Sequence, residues 1–235
     1  MCTSFIHRKS DVFIAMNFDN NGMPFNVKMD DPTQFVALVD GGRGKWPSFG
    51  VNAYGVFCNN LNVNSNGRGL YKRAGKKVTH TSKLTTDILS GVIFPGEIGG
   101  YLDTVEVVNG PDHSVHNMIT NTEGDVWVVE PGRGVIYSPA NESPYFVMTN
   151  FSLCDYHGQG TPEGDGADRY IAATALLSGF DKMNVDSAFQ VLNAAKQDKG
   201  DWKTVLSIVY SQKERTVYYC FDGNFANVSK FSFAS

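Results

Sequence analysis

The 235-residue chain is short of charge and of cysteine and has no long apolar run, and each shortage excludes something. Charged residues make up 19%, with 20 Lys and Arg against 24 Asp and Glu, for a formal net charge of −4. Nucleic acid and anionic membrane surfaces are held by clustered positive charge. The one basic cluster, from Lys72-Arg73 to Lys76-Lys77, is short and reads as a solvated loop, so no nucleic-acid and no membrane partner is expected. No apolar stretch approaches the roughly 18 residues of a membrane span. Arg8 and Lys9 interrupt the opening segment before an apolar secretory core can form, which makes cytoplasmic residence the expectation. Cys2, Cys58, Cys154 and Cys220 share no C-x-x-C spacing, against both a zinc site and a disulfide scaffold. No linker, repeat or low-complexity tract divides the sequence, so residues 1–235 read as one domain.

What the chain does have is short strands. Residues 3–7 and 11–17 flank the charged turn Arg8-Lys9-Ser10-Asp11 as a hairpin, and Val115–Thr120 pairs with Val126–Glu130 around Asn121–Asp125. Further strands are expected at 35–39, 48–51, 55–61, 104–108, 145–149, 204–210, 215–221 and 228–233. Helical spacing appears at 84–93, after a cap at Ser82 or Thr85, at 168–180, and at 185–195, after a cap at Asn184 or Asp186. The class is α+β, and two sheets with helices outside them is one packing that fits.

Cys2 carries the most chemistry. Once the initiator Met is removed, as is expected before so small a residue, Cys2 holds a thiol and a free α-amine together. Their reference pKa values, about 8.5 and about 7.7–8, let the amine take the thiol proton near neutrality. Nucleophile and base are then covalently joined and no catalytic His is needed. Alone, a second-position Cys is an ordinary small residue opening a strand.

Its company is more specific. Cys2-Thr3-Ser4-Phe5, Met16-Asn17-Phe18-Asp19, Gly50-Val51-Asn52-Ala53-Tyr54-Gly55, Leu61-Asn62, Met118–Gly124, Met148-Thr149-Asn150 and Asp168-Arg169-Tyr170 follow one another in order. This series resembles the linear-amide C–N hydrolases of the N-terminal-nucleophile superfamily, which include choloylglycine hydrolases, penicillin V acylases and acyltransferase-like relatives. The resemblance runs from Cys2 to about Phe221. It implies a four-layer αββα sandwich of two antiparallel sheets. It also implies cleavage of a small-molecule N-acyl amide through an acyl-thioester, with no cofactor and no metal.

Carried over residue by residue, the resemblance makes Cys2 the nucleophile and has Asp19 hold its amine by accepting hydrogen bonds. Asn62 would donate to the carbonyl oxygen as part of an oxyanion hole. Asn59 or Asn60 could take that place in so Asn-rich a stretch. Asn150 would supply a second oxyanion donor or contact the amine, and Arg169 would favour the thiolate. Each has a plainer reading: Asp19 and Asn150 as turn residues, Arg169 as a surface residue in a first helical turn.

The sequence departs from the family at Met16, where an Arg is usual. That leaves open a scaffold that binds without cleaving, and the thioester chemistry equally allows an acyltransferase. A redox-sensing thiol at Cys2 or Cys58 is a weaker reading. The extra loops and assembly hairpin of larger relatives are not evident, so their tetrameric state does not carry over and a homo-oligomer stays open. His113 and His116 lie three apart at a strand entrance and would face opposite sides, against a metal pair. Gly41-Gly42-Arg43-Gly44-Lys45 lacks the phosphate-loop spacing and reads as a turn.

Overall fold

The computed structural model describes residues 1–9, 11–42 and 44–234. Ser10 of the first hairpin turn and Arg43 of the Gly41–Lys45 turn lie outside the described residues. In chain order the strands are β1 (Thr3–His7), β2 (Phe13–Asn20), β3 (Phe25–Lys28), β4 (Gln34–Asp40), β5 (Lys45–Asn52), β6 (Phe57–Asn59), β7 (Leu61–Asn62) and β8 (Val78–His80). They continue as β9 (Glu106–Val108), β10 (Val115–Thr120), β11 (Val126–Glu130), β12 (Gly134–Ser138), β13 (Tyr145–Met148), β14 (Lys203–Ser211), β15 (Thr216–Phe221) and β16 (Ser229–Ser232). The helices are α1 (Thr81–Leu89), α2 (Ile98–Leu102), α3 (Leu153–Tyr156), α4 (Ala167–Ser178) and α5 (Val185–Ala194).

Two antiparallel sheets dominate. One has the order β13-β1-β2-β14-β15-β16; the other runs β12-β11-β10-β6-β5-β4-β3, with β7 also paired to β10. Strand β2 shows why they stack, because all of its residues are buried. Ile14, Met16 and Phe18 point into a core shared with Phe35, Phe49, Phe57 and Met118 of the other sheet. The alternate residues Phe13 and Ala15 pack with Ala173 and Leu177 of α4 and with Ala188, Val191 and Leu192 of α5. On the far side, Val36, Cys58, Ile119 and Val129 pack against Leu84 and Ile88 of α1 and Ile98 and Leu102 of α2. Period-2 strands with both faces apolar need a layer on each side, and the result is the αββα sandwich.

Strands β3, β8 and β12 were not among the expected ones; they are short or half-exposed, with little alternation to announce them. Helix α1 starts earlier than its spacing implied. His80 is its N-cap and makes no side-chain capping bond, so neither Ser82 nor Thr85 caps it. Asn184 does cap α5, accepting from the Ser187 N–H. Among the described residues no helix is long and apolar enough to cross a membrane.

Candidate active site

Cys2 sits just ahead of β1, and the ladders beside it bring the other residues in. Ser4 pairs with Met148, so continuing that antiparallel register places Asn150 opposite Cys2. The Cys2 main-chain N–H donates to the Asn150 side-chain oxygen at 2.6 Å. On the other flank Thr3 pairs with Asn17, which brings the end of β2, and Asp19, alongside. A bulge in β14 between Thr204 and Leu206 sets Thr204 opposite Asp19, the local re-aiming that bulges provide.

Arg169 enters from the first turn of α4 and is buried. It donates to the Cys2 carbonyl and, at 3.0 Å, to Thr3 Oγ1. Its other nitrogen, Nη2, donates to Asn150 Oδ1 at 2.9 Å, and Asp19 Oδ2 lies 3.6 Å from Nη1. The approach is possible because Gly166 has a φ of +81° and no side chain: a Cβ there would meet the guanidinium at 2.5 Å. Arg169 is therefore no surface residue.

Asp19 is placed differently from the expectation. Its carboxylate accepts from Thr204 Oγ1 at 2.6 Å and Gln197 Nε2 at 2.5 Å, and makes no hydrogen bond to Cys2. Its main-chain carbonyl instead faces the N-terminus, 3.4 Å from the Met1 amine and 3.9 Å from Cys2 Sγ. Burial pushes the Asp19 carboxyl up, against its hydrogen bonds and the Arg169 charge.

Asn150 lies between the Cys2 main chain and β7. Its oxygen faces the Cys2 nitrogen, while its amide donates to the Asn62 carbonyl at 2.7 Å. Among the three candidate asparagines, Asn59 donates to Ser4 Oγ and Asn60 to Pro47 O and Thr85 Oγ1. Asn62 is exposed at the end of β7, and its side chain makes no hydrogen bond among the described residues. Only Asn62 of the three keeps its amide free.

Cys2, Asp19, Asn60 and Asn62 border a cavity of about 180 Å3 whose apolar walls are Phe18, Met23, Val39, Trp46, Val115 and Trp202. Met1 and His113 also line it, and His113 stacks on Trp46 with centroids 6.3 Å apart. His116 points elsewhere, into a buried pair with Glu130 at 3.1 Å. A larger groove of about 710 Å3 runs between β12 and β13 and shares no lining residue with this cavity. Its one thiol, Cys154, is pushed up to about 12 by burial and by Glu130, a poor nucleophile.

Electrostatically, burial lowers the Met1 amine below its ordinary value and raises the Cys2 thiol. Both shifts favour the neutral forms, a free amine beside a protonated thiol.

No protein-family model matches the chain, and no curated protein matches it in sequence. Solved structures do match in fold. A variant of the conjugated bile acid hydrolase from Clostridium perfringens superposes with a TM-score of 0.73 at 17% identity, over 98% of this chain and 92% of that one. Penicillin V acylase from Agrobacterium tumefaciens gives 0.66 at 16%, over 100% and 92%. The Caenorhabditis elegans ortholog of N-acylethanolamine-hydrolyzing acid amidase gives 0.61 at 16%, over 90% and 93%. The chain has the N-terminal-nucleophile hydrolase fold.

Within that fold, the segments that carried the resemblance prove largely architectural. Asn52 accepts from the Tyr54 and Val56 N–H groups and donates to Ile88 O, so the Gly50–Gly55 segment is a turn tied to α1. Asn17 donates to Leu192 O and accepts from Ser207, fixing α5 to the sheet. Met16 is fully buried beside Ser4 and Asn59 and does not reach the cavity.

Proposed function

We propose that this chain is an amidohydrolase that cleaves a linear carboxamide through an N-terminal Cys2 nucleophile. The observation that carries the reading is the Cys2 nitrogen, held by Asn150 at the edge of an apolar cavity. With Met1 removed, that nitrogen becomes the terminal amine. Asn150 then accepts one of its N–H bonds, which leaves its lone pair for the thiol proton. The thiolate attacks the amide carbon, and Asn62, whose amide is uncommitted, donates to the developing oxyanion. The ammonium returns its proton to the leaving nitrogen as the C–N bond breaks. Water, deprotonated by the same amine, hydrolyses the thioester and releases the acid. Arg169 acts from behind, binding the Cys2 carbonyl and Asn150 and steadying both. No metal or cofactor is needed for these steps, and an amine acceptor in place of water would make the same site an acyltransferase.

The test is intact mass, before and after incubation with aryl-acyl, bile-acid and fatty-acyl amides. A chain lacking Met1 that gains an acyl adduct, lost in Cys2→Ala, supports the reading. A chain that keeps Met1, or a processed chain that no amide labels, sinks it and favours a binding scaffold.

A further inference from the structure

We propose that His116 and Glu130 form a buried hydrogen-bonded clamp that positions Asn150 against the amine of Cys2. The inference rests on the role given to Asn150 above. His116 lies on β10 and Glu130 on β11, both in the sheet opposite Cys2, and both side chains are fully buried. His116 Nε2 lies 2.8 Å from the Thr149 carbonyl, and Nδ1 lies 3.1 Å from Glu130 Oε1. Glu130 also accepts from the Ser152 hydroxyl at 2.5 Å and the Leu153 N–H at 2.8 Å. The Thr149 carbonyl can only accept, so Nε2 carries a proton and Nδ1 is the atom that faces Glu130.

The clamp's contacts on the opposite side are Thr149, Ser152 and Leu153, which bracket Asn150. They are what turns the chain sharply after β13, so that the Asn150 oxygen faces both Cys2 and Arg169. The same strand β10 carries the partner of Asn62, since Val115 pairs with Asn62 and His116 with Leu61. One rigid element therefore registers Asn62 and Asn150 across the gap between sheets. The other charged or titratable groups near the pair are Arg133, 3.9 Å from Glu130, Asp155, which pairs with Arg133 at 2.7 Å, and Cys154. His116 and Glu130 are positioning residues that do not touch the substrate.

The test compares the wild-type chain with His116→Gln and with the double variant His116→Gln/Glu130→Gln, which leaves no buried charge unpaired. Single-turnover acylation by an aryl-acyl anilide is measured together with the side-chain amide resonance of Asn150 in [15N]Asn-labelled protein. That resonance is identified by its loss in Asn150→Ala. The expected result is acylation slowed about tenfold or more with KM within about twofold, because misplacement costs rate more than binding. The Asn150 resonance should move with it. A folded variant with rate and resonance both unchanged overturns the clamp. If the wild-type chain forms no thioester, the proposed function has failed, and the resonance alone decides: unmoved in the folded double variant, it overturns the inference.

Discussion

The main-chain nitrogen of Cys2 and the side-chain oxygen of Asn150 lie 2.6 Å apart, although 148 residues separate them in sequence. The contact follows from the β1–β13 ladder and would be made whatever the chain's activity. Its chemical use depends on that nitrogen being a terminal amine. Asn150→Ala would leave the Cys2 nitrogen and one Arg169 donor without this acceptor. Unsatisfied buried donors cost about 1–3 kcal/mol each, and the loss of orientation should slow acylation by about a hundredfold. Urea unfolding and single-turnover acylation separate the two effects.

Arg169 should matter more to stability than to binding. It is the cation within ion-pair distance of the buried Asp19 carboxylate, and it holds Cys2, Thr3 and Asn150 at once. Arg169→Met strands Asp19, a loss of about 3–5 kcal/mol for a broken buried pair. Arg169→Lys should recover little, because an ammonium cannot reproduce the planar fork. Gly166→Ala should behave as a milder form of the same lesion, since the new Cβ would meet the guanidinium. Equal midpoints for Gly166→Ala and wild type in urea would contradict this.

How much of this was legible in the sequence depends on what fixes each residue. The α+β class, the first hairpin and helices α4 and α5 follow from local periodicity. Cys2 drew attention through its position together with the ordered segments that follow it, and its role as nucleophile belongs to the proposed function. The direction in which Asp19 presents its groups was not legible. It depends on the Thr204 bulge, nearly two hundred residues away in the chain. The His116–Glu130 pair was missed for a related reason: its ligands lie on the Thr149–Leu153 turn, and no spacing within β10 or β11 points there. The His113-x-x-His116 pattern was set aside as a metal pair, and nothing in that spacing pointed to Glu130.

Met16 bears on the rival reading, a scaffold that binds but does not cleave. The residue is fully buried in the core between the sheets, next to the Ser4 and Asn59 side chains. Met16→Arg should therefore lower stability by several kcal/mol, through desolvation of a charge with neutral neighbours, and should add no activity. Amidase activity appearing only in Met16→Arg would favour the rival.

Glu130 gives the clamp a pH signature in stability. Burial alone would raise its carboxyl, but hydrogen bonds from His116, Ser152 and Leu153 and the His116 charge outweigh it and hold the pKa below the ordinary 4.5. A carboxyl with a lowered folded value stabilises above 4.5, and the contribution is lost as pH falls through the folded value. Stability should drop on acidification below about pH 4.5, and the double variant His116→Gln/Glu130→Gln should show a shallower slope there. Parallel curves in urea titrations between pH 3 and 6 would rule out the pair as the source.

On the proposed function, the cavity beside Cys2 limits the acyl group that the site would take. At about 180 Å3 it is close to the roughly 150 Å3 in which an apolar cavity accepts benzene. Removal of Met1, which lines it, adds the room of one side chain. A single-ring or short-chain acyl group matches that volume, and a steroid or long fatty acyl group would have to extend beyond it. Trp46 is part of the limit, and Gly41 leaves room for it: a Cβ at Gly41 would run into the far edge of the indole. Gly41→Ala must therefore displace the ring, which stacks on His113. Trp46→Ala removes the ring outright. Acylation rates across amides of increasing acyl size should fall off sharply beyond one ring in the wild-type chain. In Trp46→Ala the cut-off should move to larger acyl groups, with Asn150 and Cys2 unaffected. An unchanged cut-off would place the acyl group elsewhere, and the β12–β13 groove would be the next surface to probe.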